Sequence, residues 1–191
     1  MVLGRKSLKI LSEQAKGGRV ELRQPRWADF EDWAGLRRSN KNFLSPWEPD
    51  WSDAHFSRNS FKARLASYNR MIEQGTGYPF HIFAGADLRL VGACNITQVQ
   101  KAPAFSAKLG YWVGEEFTRQ GYTRAAIRAA LKFCFDDLGL HRVEAAVQAS
   151  NTPSISLLND VGFKHEGTAR AFLKINGRWR DHEIYSRLSS D

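Results

Sequence analysis

The stretch LGYWVGEEFTRQGYTRAAIRAAL, Leu109 to Leu131, decides how the rest of the chain is read. Leu109, Tyr111 and Val113 alternate with Gly110, Trp112 and Gly114, and these aromatic and β-branched residues suit a partly buried strand. Past Gly121 the pattern changes. Ile127, Leu131, Cys134 and Leu138, flanked by Ala126, Ala130 and Phe133, recur at helical spacing, while Arg124, Arg128 and Lys132 make one cationic face. A strand that runs through a tight turn into a helix leaves the first helical N–H groups without partners, with the positive end of the helix dipole behind them. Such a turn can hold a phosphate, but an ordinary strand-to-helix connection with a solvated basic face fits the same residues.

A chain of 191 residues fits one core that needs no metal or disulfide to staple it. With 42% hydrophobic and 25% charged residues, the composition excludes disordered and fibrous classes. Cys94 and Cys134 sit in apolar strand-like and helix-like surroundings without metal-ligand spacing, so they read as buried thiols and no metal is expected. No apolar run reaches the length of a membrane span, and the N-terminal MVLGRKSLKILSEQAKGGR lacks the apolar core of a secretory signal; no membrane association and a cytoplasmic location are expected. The net charge of +8 suits a polyanion, whether nucleic acid, ribosome or a polyphosphorylated cofactor, and suits a solvated surface equally.

Residues 1–18 read as an N-terminal arm, a short helix or loose segment, ahead of a single domain spanning 19–191. Val20–Arg23 alternates as a first strand closed by Pro25, and Trp27–Leu36 has helical spacing with acidic residues early. FLSPWEPDW, Phe43–Trp51, reads as neither regular helix nor strand: its aromatics form either a packed plug or a pocket wall, where Glu48 and Asp50 set acidic groups beside a cationic amine. Phe56–Ile72 reads as a helix. Tyr78–Ala84, Leu88–Val99 and Phe105–Val113 follow as a meander of strands. Gly139 caps the central helix, His141–Val147 alternates as a strand, and Asn151-Thr152-Pro153 opens a short helix from Ser154 that Gly162 stops. Asn176-Gly177 joins the last two strands, since both residues of a two-residue hairpin turn need positive φ. His182 has no Ser, Cys or metal-ligand partner by spacing and reads as structural or exposed.

This order of elements resembles the GNAT superfamily of N-acetyltransferases from about Val20 to Leu188. The resemblance is carried by LGYWVGEEFTRQGYTRAA at Leu109–Ala126, by HRVEAAVQASNTPSISLLNDVGFKHEG at His141–Gly167 and by INGRWRDH at Ile175–His182. With FLSPWEP at Phe43–Pro49, these resemble the RimJ/RimL branch, which acetylates the N-terminal residues of ribosomal proteins. The resemblance implies an α/β (α+β) fold, a mixed, mostly antiparallel twisted sheet flanked by helices, and acetyl-coenzyme A as cosubstrate. In the family the turn has the form Q/R-x-x-G-x-G/A and its amides hold the cofactor's pyrophosphate. The matching residues are Thr118, Arg119, Gln120, Gly121, Tyr122 and Thr123, and two depart: Thr118 stands for Gln or Arg, Thr123 for Gly or Ala. Arg119, Arg124 and Arg128 are further candidates for phosphate contact. The resemblance also implies that the central strand splays at Val113, Gly114 and Glu115 to admit the pantetheine. Asn151 matches a cofactor-contacting asparagine, or caps a helix; Ser154 matches the position of a hydroxyl near the leaving thiol, or is a first-turn helix serine.

Acetyl transfer to an amine needs a neutral nucleophile, a stabilised oxyanion and a proton for the thiolate. An α-amine, with pKa about 7.7 to 8.0 against about 10.4 for lysine, supplies far more free base near neutrality, so an N-terminal acceptor tolerates a weak catalytic base. The glutamate that serves as base in one ribosomal relative falls on Leu173 here, leaving Glu48, Asp181 or an ordered water. The expected activity is direct acetyl transfer, without a covalent enzyme intermediate, to the N-terminal amine of a protein, for which the resemblance supplies a ribosomal protein as candidate, by a monomer or homodimer with no direct nucleic-acid role. Two rivals are acetylation of a small amine, and a catalytically inactive ribosome- or RNA-binding module on the same fold.

Overall fold

The computed structural model describes residues 8–191. Its eight strands form one sheet in the order β1-β2-β3-β4-β5-β6-β8-β7, with β1 Leu11–Ala15, β2 Gly18–Arg23, β3 Tyr78–Ala84, β4 Arg89–Gln100, β5 Ser106–Val113, β6 Arg142–Val147, β7 Lys164–Ile175 and β8 Arg178–Leu188. Neighbours pair antiparallel except β5 and β6, which run parallel over only three residue pairs, Ser106 to Lys108 against Arg142 to Glu144. The helices are α1 Phe30–Ser39, the single turn α2 Lys41–Leu44, α3 Arg58–Gln74, α4 Tyr122–Lys132 and α5 Thr152–Asp160. The expected mixed, mostly antiparallel sheet flanked by helices is therefore present.

Strand alternation assigns every side chain on the sheet to one of two layers. Odd-numbered residues of β5, with Val143, Ala145 and Val147 of β6 and Tyr185 of β8, pack with α4 and α5 around the fully buried Ala126 and Ile127. Trp112 lies on the opposite layer, where α1 and α3 bury Phe30, Trp33, Phe61, Phe83 and Leu90. Burying a side chain the size of the fully buried Phe61 contributes roughly 1.5–3 kcal/mol, so each layer holds its helices chiefly through such contacts.

Three elements differ from the sequence expectation. Leu11–Ala15, assigned to a helix or loose arm, is an edge strand paired with β2; residues 1–7 of that arm lie outside the described residues. Phe43–Trp51 contains ordered helical turns, the end of α2 and a 3-10 turn at Ser45–Trp47 that Pro46 starts. α4 widens into a π turn at Phe133–Asp137 before Gly139, at φ +63°, ends the helical run. The hairpin turn has Asn176 at φ +49° and Gly177 at +73°, as its two-residue length demands. His182 is buried and bonds the Arg180 carbonyl through Nδ1 at 3.0 Å, which makes it structural. Both cysteines are free and buried, and burial pushes the Cys134 thiol up to about 12.

Under α1 lies a buried polar cluster. Arg23 donates two hydrogen bonds to Asp29, at 2.7 and 3.0 Å, and Asp29 also accepts the Arg26 amide and His81 Nδ1. Burial opposes the ionisation of Asp29, but the hydrogen bonds from His81, Arg23 and the Arg26 amide outweigh it and hold the carboxyl well below its usual value. Burial also lowers His81, which stays a neutral donor, so Arg23 supplies the balancing charge.

Candidate functional site

The site begins where the parallel seam stops. Phe105 C=O accepts the Arg142 amide at 3.1 Å, so odd-numbered residues of β5 turn their backbone groups toward β6; Gly114 N–H donates to Val91 of β4 at 2.9 Å, so even-numbered ones face the other way. Past Lys108 and Glu144 the register ends, and Tyr111 and Val113 direct N–H and C=O groups into a widening gap. The splay thus starts at Leu109, short of the Val113–Glu115 position read from sequence. Of those three residues only Val113 faces the gap. Gly114 is spent on β4, and Glu115 N–H donates to Asn40 Oδ1 at 2.7 Å. A Cβ on Gly114 would come within 2.8 Å of Leu36, so the glycine there serves the contact with α1.

Beyond the gap the chain turns at Thr118–Gly121 into α4. Arg119 at φ +60° and Gly121 at +80° bend the backbone so that α4 starts abruptly. The first bond closing α4 is Ala125 N–H to Gly121 C=O at 3.0 Å, so the amides of Tyr122, Thr123 and Arg124 precede it and make the anion-binding end of the helix. Side chains of the turn are used locally: Thr118 Oγ1 donates to Glu115 C=O at 2.8 Å and Gln120 Nε2 to Glu116 C=O at 3.0 Å. The β1–β2 turn braces it from outside, with Gly17 N–H on Gln120 C=O at 3.0 Å and Tyr122 OH donating to Gly17 C=O at 2.8 Å. Arg119 is exposed, whereas Arg124 is ion-paired with Asp160 of α5. Backbone amides left free in this way can hold an anion such as a phosphate.

Across the gap, α5 presents Ser154. Asn151 caps that helix, its Oδ1 accepting the Ser154 amide at 3.3 Å, so the capping role is realised. Ser154 Oγ lies 2.7 Å from the hydroxyl of Tyr111, which burial pushes up to about 12, with the Ser154 hydrogen bond opposing. A neutral tyrosine and a serine therefore meet where β5 leaves β6. Tyr111 read from sequence only as a strand residue; its partner lies 43 positions away.

On the opposite layer, the Asn40–Phe56 segment closes over the sheet. Arg37, almost wholly buried, lies between the rings of Trp51 and Trp112, 4.1 and 4.8 Å from their centroids, and grips Glu48 through two bonds of 2.8 and 2.5 Å. Glu48 also accepts from Trp51 Nε1 at 2.9 Å. Stacked on Trp51, His55 is lowered to about 4 by burial and by the cations of Arg64 and Arg37, and stays neutral. The segment reaches β6 through Gln148 Nε2 to Pro46 C=O at 3.1 Å, and the Asp50 carboxylate approaches the hairpin turn at Gly177. Plug and wall coincide: the aromatics pack among themselves and their assembly borders the gap. Glu48 is consumed by Arg37 and Trp51. Asp181 accepts the amide of Ala171 at 2.7 Å, at a bulge in β7 where Ala171 has φ +46°. Glu48 is thus tied on both oxygens, Asp181 on one, and Leu173 is 43% exposed.

Comparison with known proteins agrees with this geometry. Residues 19–164 match the acetyltransferase (GNAT) domain family, and the chain belongs to that family of N-acetyltransferases. It is 31% identical over 176 residues to a probable N-acetyltransferase, YjcK, of Bacillus subtilis, covering 92% of this chain and 97% of the relative. It is also 31% identical over 165 residues to the [ribosomal protein uS5]-alanine N-acetyltransferase of Escherichia coli, covering 85% of each. The structure of Mycobacterium smegmatis RimJ in complex with CoA-disulfide superposes with a TM-score of 0.90 at 30% identity, over 98% of this chain and 89% of that one.

Proposed function

We propose that this N-acetyltransferase transfers the acetyl group of acetyl-coenzyme A directly to the N-terminal α-amine of a protein, and that the acceptor is a ribosomal protein. The observation that carries the reading is the gap itself. A sheet opened between β5 and β6 has an anion-binding helix end and a Ser–Tyr hydroxyl pair on one layer, and an aromatic wall on the other. Two substrates can thus meet from opposite faces. The similarity to the E. coli uS5-alanine enzyme supports the ribosomal acceptor, and that to M. smegmatis RimJ bound to CoA-disulfide supports the cofactor.

In this reading the amides of Tyr122, Thr123 and Arg124 hold the pyrophosphate, with Arg119 beside them. The free backbone edge of Tyr111 and Val113 orients the pantetheine and offers an N–H to the thioester carbonyl. Tyr111, kept neutral, donates to Ser154 Oγ, which leaves the Ser154 proton free for the departing thiolate. With Glu48 tied by Arg37 and Asp181 on the face away from the aromatic wall, the acceptor amine loses its proton to water, which an α-amine of ordinary pKa permits.

The test is thermal unfolding with acetyl-coenzyme A, dephospho-coenzyme A or ATP, followed by mass spectrometry of N-terminal peptides and small amines incubated with acetyl-coenzyme A. Acetyl-coenzyme A at about a hundred times its Kd adds roughly 2.7 kcal/mol, a Tm rise of several degrees. Acetylation of small amines but of no peptide would overturn the assigned acceptor.

A further inference from the structure

The hairpin of β7 and β8 carries four basic side chains that no carboxylate pairs with among the described residues. Arg170, Lys174, Arg178 and Arg180 are all exposed, and none forms an ion pair among the described residues. Their faces differ. Register fixes them: Ile184 pairs with Ala146 of β6, on the layer of Trp112, and alternation back along β8 puts His182, Arg180 and Arg178 on that layer too. Their partners in β7, Leu173 and Ile175, share it, whereas Lys174 and its partner Trp179 lie on the other face. Arg180 and Arg178 therefore stand on the aromatic-walled side of the sheet, where Asp50 nears the hairpin turn. Of the carboxylates nearby, Glu48 is held by Arg37, Glu144 by Arg142 and Asp181 by the Ala171 amide; Asp50 forms no ion pair among the described residues.

Resting on the acceptor assignment above, we infer that Arg180 and Arg178 form a carboxylate-binding subsite, and that this enzyme selects protein N-termini carrying Asp or Glu from about the third residue on. The spacing supports it. Glu183 is the last residue of β8 paired with β6, and Arg180 lies three residues further, about 10 Å along the strand. Same-face residues of a strand repeat every 6.6 Å or so, and an extended peptide has the same repeat, so carboxylates two residues apart meet Arg180 and Arg178 in turn. Exposed Leu173, the cross-strand partner of Arg180, supplies apolar contact beside it. A protein segment fits better than RNA because the arginines share a face with Leu173 and a buried histidine, while the exposed Trp179 that would stack on a base is on the other face.

Eight-residue peptides with N-terminal Ala and acidic, neutral or basic residues at positions three to six test the inference, read as kcat/KM and as anisotropy of the labelled, already acetylated acidic peptide. The acidic peptide should be preferred over the neutral one about five- to tenfold, mainly in KM, with the margin shrinking as salt rises. Arg178→Glu/Arg180→Glu should abolish the preference while turnover of the neutral peptide stays unchanged, Arg180→Lys should keep most of it, and Lys174→Glu on the other face should leave it intact. Equal kcat/KM for acidic and neutral peptides overturns the subsite and leaves the acetyltransferase reading standing. Face-specific binding of the acidic peptide without turnover upholds the subsite and overturns the acceptor assignment. Displacement of the bound peptide by a short RNA at lower concentration than by unlabelled peptide overturns the subsite in favour of a nucleic-acid surface.

Discussion

The two layers of the opened sheet build their halves of the site from different material. On the α4 side the groups available for binding are main chain: helix amides, the bare edge of β5, and a turn whose side chains bond back to their own loop. On the α1 side they are side chains, with Arg37 between two indoles and Glu48 fixed by Arg37 and Trp51. A site made of backbone depends on conformation more than on side-chain identity; a site made of side chains changes with every substitution. Substitutions should therefore disturb the α1 half more readily than the α4 half.

The sharpest way to break this contrast is to empty the side-chain half. Arg37→Ala leaves the partly buried Glu48 carboxylate without its cation and should cost about 3 kcal/mol in urea unfolding, with Arg37→Met/Glu48→Leu losing less than the single change. Asp29→Asn, which strips Arg23 and His81 of their partner beneath the same layer, should cost a similar amount at neutral pH. Because the Asp29 carboxyl is depressed below its ordinary 3.8, its contribution is full above that value and is lost as pH falls through the lower folded one. The stability gap between wild type and Asp29→Asn should therefore close in acid, measured by unfolding from pH 7 down to pH 2. A gap that widens in acid would put the charge elsewhere.

Smaller effects probe the backbone half. Ser154→Ala should lower kcat roughly a hundredfold with little change in KM for the cofactor, and Tyr111→Phe roughly fivefold, the worth of one buried hydrogen bond. If Tyr111 acts only by packing, the two losses will multiply in the double variant; acting through Ser154, Tyr111→Phe adds nothing once the serine is gone. Gly121→Ala forces a side chain into φ +80° and should cost about 1–2 kcal/mol and weaken coenzyme A binding measured by calorimetry. With backbone amides as the proposed phosphate ligands, Thr118→Ala and Thr123→Ala should leave the Kd within about twofold.

Local chemistry was legible in the sequence, and distant pairing was not. Asn176-Gly177, Gly139 and the Gly121 turn announce themselves because only a few residues accept positive φ, and β3 was readable to the residue. Leu11–Ala15 was missed because Ser12, Glu13 and Gln14 are polar and the strand exists only through β2. Ser154 was found by family likeness, yet Tyr111, which gives it an orientation, lies in another element. Glu48 looked like a free acid among aromatics until Arg37, eleven residues earlier, folded over it. The bulge that occupies Asp181 needs two strands with unequal residue counts, and no single-strand pattern records that.

The three-pair seam between β5 and β6 also makes part of the sheet's interior behave like its rim. Tyr111 and Val113 sit in the fifth of eight strands, yet their amides have no strand partner across the gap among the described residues, so in deuterium exchange they should label as quickly as loop amides while those of Gly110 and Trp112, bonded to β4, stay protected. Ligands lying in the gap would slow both, so two amides report, without any assay of turnover, whether the sheet is open or filled.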